Sequence, residues 1–294
     1  MLLRTYAAAE LARAIACLGW RGSRLHTGVH QARKSLRRTR ATLALGGPAL
    51  GPGAALIDRE LRGVNTKLSK LRDAHALVDT LDHLLRKRGD DPGLAPVLRR
   101  VRRSAAGARA ARARTVLAAD PQLHDRRALL AVLQAALAAL PWDALTVDGV
   151  REALHRSAAR VDEAAARAQA SGRDLDWHRW RRRARRLSQQ LRALDDSIAI
   201  PAEPDYVKRV AVLLGEAQDY SLLREHCGRH AGFAAADRAV LRELSERGTA
   251  HLRERIRAEL PTARRAGSDT PGGDALKDRA ARPGRRRPRP EPLR

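Results

Sequence analysis

The chain contains few aromatic and sulfur-containing residues. Its 294 residues include eight aromatic side chains, two cysteines and one methionine. Cys17 and Cys227 are too few for a disulfide framework, so we expect a reducing, cytoplasmic location. With so little aromatic bulk, the core must be built mainly from leucine and alanine, and an apolar content of 44% over this length is enough for one.

Long apolar runs and enzyme motifs are also missing. No segment reaches the roughly 18 consecutive apolar residues of a membrane span, and charges interrupt residues 1–20, as a signal peptide would not allow. The sequence has no Glu-x-Glu pair, no Gly-Lys dipeptide of a phosphate-binding loop and no His-Glu-x-x-His zinc helix. His226, Cys227 and His230 have a spacing that could suit a metal, but Gly228 interrupts their helix and no fourth ligand is evident. We therefore expect no enzymatic activity, no cofactor and no bound metal.

Acidic residues are absent from two long stretches. None occurs between Glu10 and Asp58, and none between Asp176 and Asp195. The formal net charge of the whole chain is +25. Such an excess indicates a polyanionic partner, which could be nucleic acid, an anionic membrane surface or a phosphate polymer.

Basic residues occupy both acid-free stretches at helical spacing. The first set is His30, Arg33, Lys34, Arg37 and Arg38. The second set is His178, Arg181, Arg182, Arg185 and Arg186. Each set lies on one face of a helix, and apolar residues lie on the opposite face. A solvated face usually mixes charges, because opposite charges one turn apart stabilise a helix by about 0.2–0.5 kcal/mol. Two purely cationic faces therefore predict an anionic ligand.

Helical periodicity runs through nearly the whole chain, so we predict an all-α protein. The predicted helices are 5–19, 28–45, 54–72, 74–88, 94–118, 123–140, 148–169, 175–195, 205–217, 219–231 and 236–260. Leu71-Arg72-Asp73 and Ala217-Gln218-Asp219 follow the two cationic sets at similar distances, which indicates an internal repeat. We expect two similar antiparallel helical bundles, about 5–140 and 148–260, related by a pseudo-twofold axis around a basic central cleft. Residues 261–294 are basic and rich in Pro, Gly and Arg, which is typical of a disordered tail.

The motif His-x-x-Arg-Lys-x-x-Arg-Arg-x-Arg, from His30 to Arg40, and its echo from His178 resemble the conserved histidine α-helical domain, CHAD. The resemblance covers roughly residues 5–260 and implies a pair of helical bundles around a basic cavity that binds inorganic polyphosphate. It implies that the contacts come from both cationic sets and from Arg40. Ser188 stands where the second motif usually has another arginine, so that end of the second set departs from the family.

Further residues are candidates for the same site. Lys67, Lys70 and Lys208 could add charge to its walls, and Asp73 and Asp219 could orient arginines or simply cap helices. We expect both histidines in the first turn of their helices, where free backbone N–H groups favour an anion. The alternative function is sequence-independent nucleic-acid binding through charge. A third hypothesis, the coating of a polyphosphate or other storage granule, differs only in cellular role. The sequence leaves the oligomeric state open.

Overall fold

The computed structural model describes residues 2–194, 204–228 and 232–259. These residues form ten α-helices and no β-strand, which confirms the all-α prediction. The helices are α1 (Leu2–Leu18), α2 (Leu25–Gly46), α3 (Gly51–Lys67), α4 (Ser69–Arg88), α5 (Leu94–Ala119), α6 (His124–Ala138), α7 (Val147–Ser171), α8 (Asp174–Leu194), α9 (Pro204–Glu225) and α10 (Ala235–Glu259). The predicted basic tail, 261–294, lies outside the described residues.

The helix α9 differs most from the sequence prediction. The sequence pattern predicted two helices, 205–217 and 219–231, separated at Gln218. The structure has one continuous helix through this position, ending at Glu225. Gln218 is neither Gly nor Pro and nothing next to it breaks a helix, so the backbone continues. The helix also ends before the predicted residue 231, because Glu225 is followed by a turn that leads into Gly228.

Antiparallel hairpins are the unit of the fold. α1 packs against α2, α4 against α5, α7 against α8, and α9 against α10. α2 also contacts α8, and α4 contacts α9, so corresponding helices of the two predicted halves meet. This is the pairing that two similar bundles require. The pseudo-twofold axis and the division at residues 140–148 remain predictions.

Two apolar clusters hold these hairpins together. The larger cluster is built mainly from α1, α2, α3, α6, α7 and α8 and includes Leu36 and Leu187. The second is built from α4, α5, α9 and α10 and includes Leu81 and Leu241. Each cluster therefore combines helices from both predicted halves of the chain. The apolar stripes opposite the cationic sets are buried as predicted: Val29, Ala32, Leu36, Leu43, Trp177, Trp180, Ala184, Leu187 and Leu191.

Local contacts set the positions of the two cationic helices. Gly28 of α2 lies so close to α1 that a Cβ there would be 2.3 Å from the carbonyl oxygen of Cys17. The turn into α8 uses Gly172 at a φ of +63°, a left-handed conformation that glycine adopts without strain. Next to it, buried Asp176 accepts hydrogen bonds from Ser171 Oγ at 2.8 Å and Arg179 Nη1 at 3.0 Å. These contacts fix where α2 and α8 begin relative to their neighbours.

Candidate anion-binding site

The cationic faces of α2 and α8 converge where the two helices pack. Burial lowers the pKa of the Arg37 guanidinium well below its ordinary value, and the positive charges of Arg185, Arg33 and Arg72 lower it further. The pKa of Arg185 is also lowered, first by burial and then by Arg72. The sequence alone did not establish that the two sets face each other. In the structure, arginines from α2, α4 and α8 lie close enough for their positive charges to repel one another.

A cavity of about 750 Å³ opens beside this contact, between α2, α3, α7 and α8. Its walls include two acids, Glu163 and Asp176, and Asp176 is already hydrogen-bonded by its own neighbours. We call this cavity the arginine cleft after the twelve arginines that line it: Arg33, Arg37, Arg40, Arg62, Arg160, Arg167, Arg179, Arg181, Arg182, Arg183, Arg185 and Arg186. Twelve cations facing two acids create a strongly positive interior.

Several of these arginines have unused hydrogen-bonding capacity. The Nε atoms of Arg33, Arg37 and Arg181 are buried and have no hydrogen-bond partner within the described residues. Burial lowers the pKa of Arg33 and of Arg181 to about 10. A buried guanidinium donor without an acceptor is destabilising, and neighbouring cations add repulsion. An anion in the cleft would supply both the acceptors and the countercharge.

Two arginines of the first motif have acids as partners instead. Arg38 Nη1 donates to Glu10 Oε1 at 2.8 Å. Arg40 makes a two-pronged contact with Asp58, at 2.8 Å from Nε and 3.1 Å from Nη2. Glu10 and Asp58 are the two acids that flank the first acid-free stretch of the sequence, so Arg38 and Arg40 receive their countercharge from the protein and not from a ligand. Arg38 does not line the arginine cleft, whereas Arg40 does.

The Arg38–Glu10 pair gives a stability prediction. Both side chains are nearly buried, at 12% and 8% exposed. Removal of the carboxylate by Glu10→Ala leaves a desolvated cation unpaired, so we expect a loss of about 3 kcal/mol in unfolding free energy. Urea denaturation measures it. Glu60→Ala is the matched control, because the exposed Glu60–Arg59 pair should contribute less than about 1 kcal/mol. Equal losses in the two variants would contradict this account.

The two motif histidines lie in different surroundings. His178 lines the arginine cleft, and its Nδ1 is 2.6 Å from Gln218 Oε1 of α9. His30 instead lines a second cavity, with Arg72. His30 is the sixth residue of α2 and His178 the fifth of α8, so the prediction that both lie in the first turn is wrong. The free backbone N–H groups at the two helix starts therefore belong to the turn before these rings.

His30 also makes the stability of the fold depend on pH. Burial lowers its pKa to about 4, and the charges of Arg72, Lys34, Arg37 and His75 act in the same direction. In the unfolded chain a histidine binds a proton below about pH 6.5, so unfolding takes up a proton between about pH 6.5 and 4. The folded state should therefore lose stability as the pH falls through this window, by roughly 2 kcal/mol at pH 5 for this residue.

Urea unfolding at pH 7 and pH 5 checks this pH dependence. His30→Gln should reduce the loss of stability between the two pH values, because glutamine does not titrate. His155→Gln is the control, since His155 is exposed on α7. If His30→Gln and His155→Gln show the same pH dependence as the unmodified chain, His30 is not the source of the acid sensitivity.

The remaining predicted residues differ in whether they line the arginine cleft. Arg33, Arg37, Arg181, Arg182, Arg185 and Arg186 line the arginine cleft together. Lys67, Lys70 and Lys208 are exposed and do not line it, and Lys34 is half-buried near Arg38 and Arg185 without lining it. Asp219 lies close to the arginines: burial raises its pKa, and Arg72, Arg181 and Arg185 oppose that rise. The Oδ1 atom of Asp73 lies 3.8 Å from Nη1 of Arg72.

The sequence interpretation missed three arginines in the lining of the arginine cleft. Arg62 of α3 and Arg160 and Arg167 of α7 all line it. Arg160 and Arg167 are seven residues apart, which places them on one helix face. This spacing was visible in the sequence, but acids are interspersed along α7, so the charge of the helix as a whole appeared ordinary.

Metal and membrane sites are a separate question. Within the described residues, no group of three or more His, Cys, Asp or Glu side chains could hold a metal ion. The sequence offered His226, Cys227 and His230 as metal ligands. The Nδ1 atom of His226 lies 2.9 Å from the carbonyl oxygen of Leu222, and His230 lies outside the described residues. Cys17 and Cys227 are buried free thiols. None of the described helices combines the length and the apolar character needed to cross a membrane.

A comparison with known families bears on this geometry. The CHAD domain model matches residues 5–228, about three quarters of the chain. The chain belongs to the CHAD family. Among solved structures it is similar to PptA from Streptomyces chartreusis, with a TM-score of 0.63 and 20% sequence identity, covering 88% of this chain and 97% of that one. This likeness shows the same fold. No curated protein matches the chain in sequence.

Proposed function

We propose that this CHAD protein binds inorganic polyphosphate in the arginine cleft and does not cleave it. The observation that carries the proposal is the composition of the cleft, in which twelve arginines face two acids. Polyphosphate is a chain of identical anionic units that offers oxygen acceptors along its whole length. Arginine suits such a ligand because its forked donors make charge-assisted, bidentate contacts with phosphate oxygens. The CHAD assignment fits the same ligand class.

The arrangement of the arginines favours a linear chain over a single phosphate. Arg33, Arg37 and Arg40 lie along one face of α2 and span about 10 Å of helix. Arg181 and Arg185 lie along the facing side of α8. Successive phosphates could therefore be held from two sides at once. Because only phosphate oxygens are contacted, this arrangement would bind any segment of the polymer equally well.

Nucleic acid is the alternative ligand, and the cleft walls argue against it. Proteins that bind single strands stack bases on exposed aromatic rings. Among the described residues, no Phe, Tyr or Trp lines the arginine cleft. Trp177 and Trp180, the nearest candidates along the chain, are buried in the core. A bare phosphate chain needs no such rings.

Competition binding tests the proposal. Labelled long-chain polyphosphate bound to the full chain at physiological salt should be displaced by unlabelled polyphosphate at a concentration at least ten-fold lower, in phosphate units, than that of duplex DNA. The affinity should fall steeply with salt, since arginine contacts to a polyanion release counterions. Equal displacement by the two polymers would contradict polyphosphate specificity.

A binding role without catalysis is supported by the acids of the cleft. Asp176 is saturated by Ser171 and Arg179, which leaves Glu163 as the second acid of the lining. Hydrolysis by paired carboxylates or by a carboxylate-held metal would need more than this. Release of phosphate from polyphosphate is therefore expected to stay at background.

Fluorescence microscopy of the tagged protein would test whether it is distributed through the cytoplasm or associated with polyphosphate granules.

A further inference from the structure

A second cleft of about 820 Å³ lies between α4, α9 and α10, with His30 of α2 in its wall. Its chemistry differs from that of the arginine cleft, because it is lined by six lysines and arginines, four acids and three histidines, together with apolar side chains. A volume of this size and a partly apolar wall are typical of sites for small organic molecules. We call it the mixed cleft.

Acids in the mixed cleft make it a poor continuation of a polyphosphate site. Asp79, Glu216 and Asp219 all line it. A polyphosphate chain carries negative charge on every unit, so these carboxylates would repel it wherever it ran along the cleft, whereas a ligand with charge at one end only can keep that end away from them. Carboxylates accept hydrogen bonds from hydroxyl and amino groups instead. The walls therefore suit a ligand that brings its own donors.

The apolar part of the mixed cleft is formed by a ring and aliphatic side chains. Tyr220 of α9 and Leu244 and Leu252 of α10 line it. Tyr220 lies directly against the backbone of α10, since a Cβ at Gly248 would be 2.5 Å from the ring atoms Cε1 and Cζ. Gly248 thus provides the space in which this ring sits. A flat apolar group of a ligand could pack on this surface.

The cationic part of the mixed cleft includes Arg72. This residue lines the mixed cleft, yet its charge also lowers the pKa of Arg37 and Arg185 of the arginine cleft. Within the described residues, its acid neighbour at ion-pair distance is Asp73, at 3.8 Å. Arg72 therefore has capacity for an anionic group, and His30 lies in the same wall.

We propose that the mixed cleft binds a small organic phosphate of the nucleoside triphosphate class. Its phosphates would contact Arg72 and His30, its planar base would pack near Tyr220 and Leu244, and its hydroxyl and amino groups would donate to the carboxylates. This ligand would contact the cationic, the apolar and the acidic parts of the cleft, whereas inorganic phosphate would contact the cationic part alone. The proposal is independent of what occupies the arginine cleft.

The test compares ATP with inorganic tripolyphosphate by calorimetric titration of the full chain at physiological salt, without divalent metal. His251→Glu adds a negative charge to the lining of the mixed cleft at an exposed position. It should weaken ATP binding at least ten-fold and tripolyphosphate binding less than two-fold. His155→Glu makes the same charge change on the exposed surface of α7 and should alter neither affinity. Leu244→Glu, which places the charge in the apolar part, should act as His251→Glu does.

Three results would overturn the proposal. One is the absence of measurable ATP binding. Another is an equal loss of ATP and tripolyphosphate affinity in His251→Glu, which would make the mixed cleft a general anion site. The third is loss of ATP binding in the double variant Arg37→Glu, Arg185→Glu with none in His251→Glu, which would place ATP in the arginine cleft. Circular dichroism verifies the fold of each variant. If polyphosphate does not bind but ATP does, only the function proposed for the arginine cleft is contradicted.

Discussion

Arg37→Glu combined with Arg185→Glu is expected to weaken polyphosphate binding by about 1000-fold or more. The two guanidinium groups lie on facing helices of the arginine cleft, and each can make charge-assisted hydrogen bonds worth about 1.5–3 kcal/mol. Reversal of both charges removes these contacts and adds repulsion of the phosphates. Titration with polyphosphate of defined length measures the loss, and circular dichroism should show unchanged helix content.

The control for this double variant has the same change in net charge. Arg99→Glu with Arg114→Glu alters two exposed arginines of α5 that line neither cleft. A general dependence on net charge would affect both double variants alike. We expect the α5 variant to retain affinity within about three-fold, since distant surface charges are screened. If it loses as much as the cleft variant, the protein binds polyphosphate over its whole surface.

Arg37→Met is expected to stabilise the ligand-free fold by about 1–2 kcal/mol while weakening polyphosphate binding. The surroundings of Arg37 disfavour its charge, because its guanidinium is buried and four neighbouring arginines repel it. Its Nε is buried without a partner within the described residues. Replacement of a buried charge by an apolar side chain of similar length is often stabilising by this amount.

Thermal and urea denaturation without ligand check this second effect. The melting temperature should rise by a few degrees for a domain of this size. Arg114→Met is the control, since this arginine is exposed on α5 and its replacement should change stability by less than about 0.5 kcal/mol. A ligand-free Arg37→Met protein that is less stable than the unmodified chain would show that the arginine cleft does not strain the fold.

The sequence predicted the parts of this protein that depend on neighbours along the chain. The matched spacing of the cationic sets predicted two helices, and the buried stripes opposite them followed from the same periodicity. Contacts between distant helices could not be predicted in this way. Arg38 and Arg40 are paired with acids of α1 and α3, 28 and 18 residues away. Arg62 and Arg167 reach the arginine cleft only because α3 and α7 pack beside it.

Helices of the two predicted halves share both apolar clusters, and this affects how the site responds to dilution. One wall of the arginine cleft comes from α2 and α3 and the other from α7 and α8, and the same four helices meet in the larger cluster. If the two predicted halves were separate molecules, the two walls of the cleft would dissociate at low concentration. The short connection from α6 to α7 keeps them in one chain, so the effective concentration of one wall near the other stays fixed. The protein can therefore present a complete site even when it is scarce.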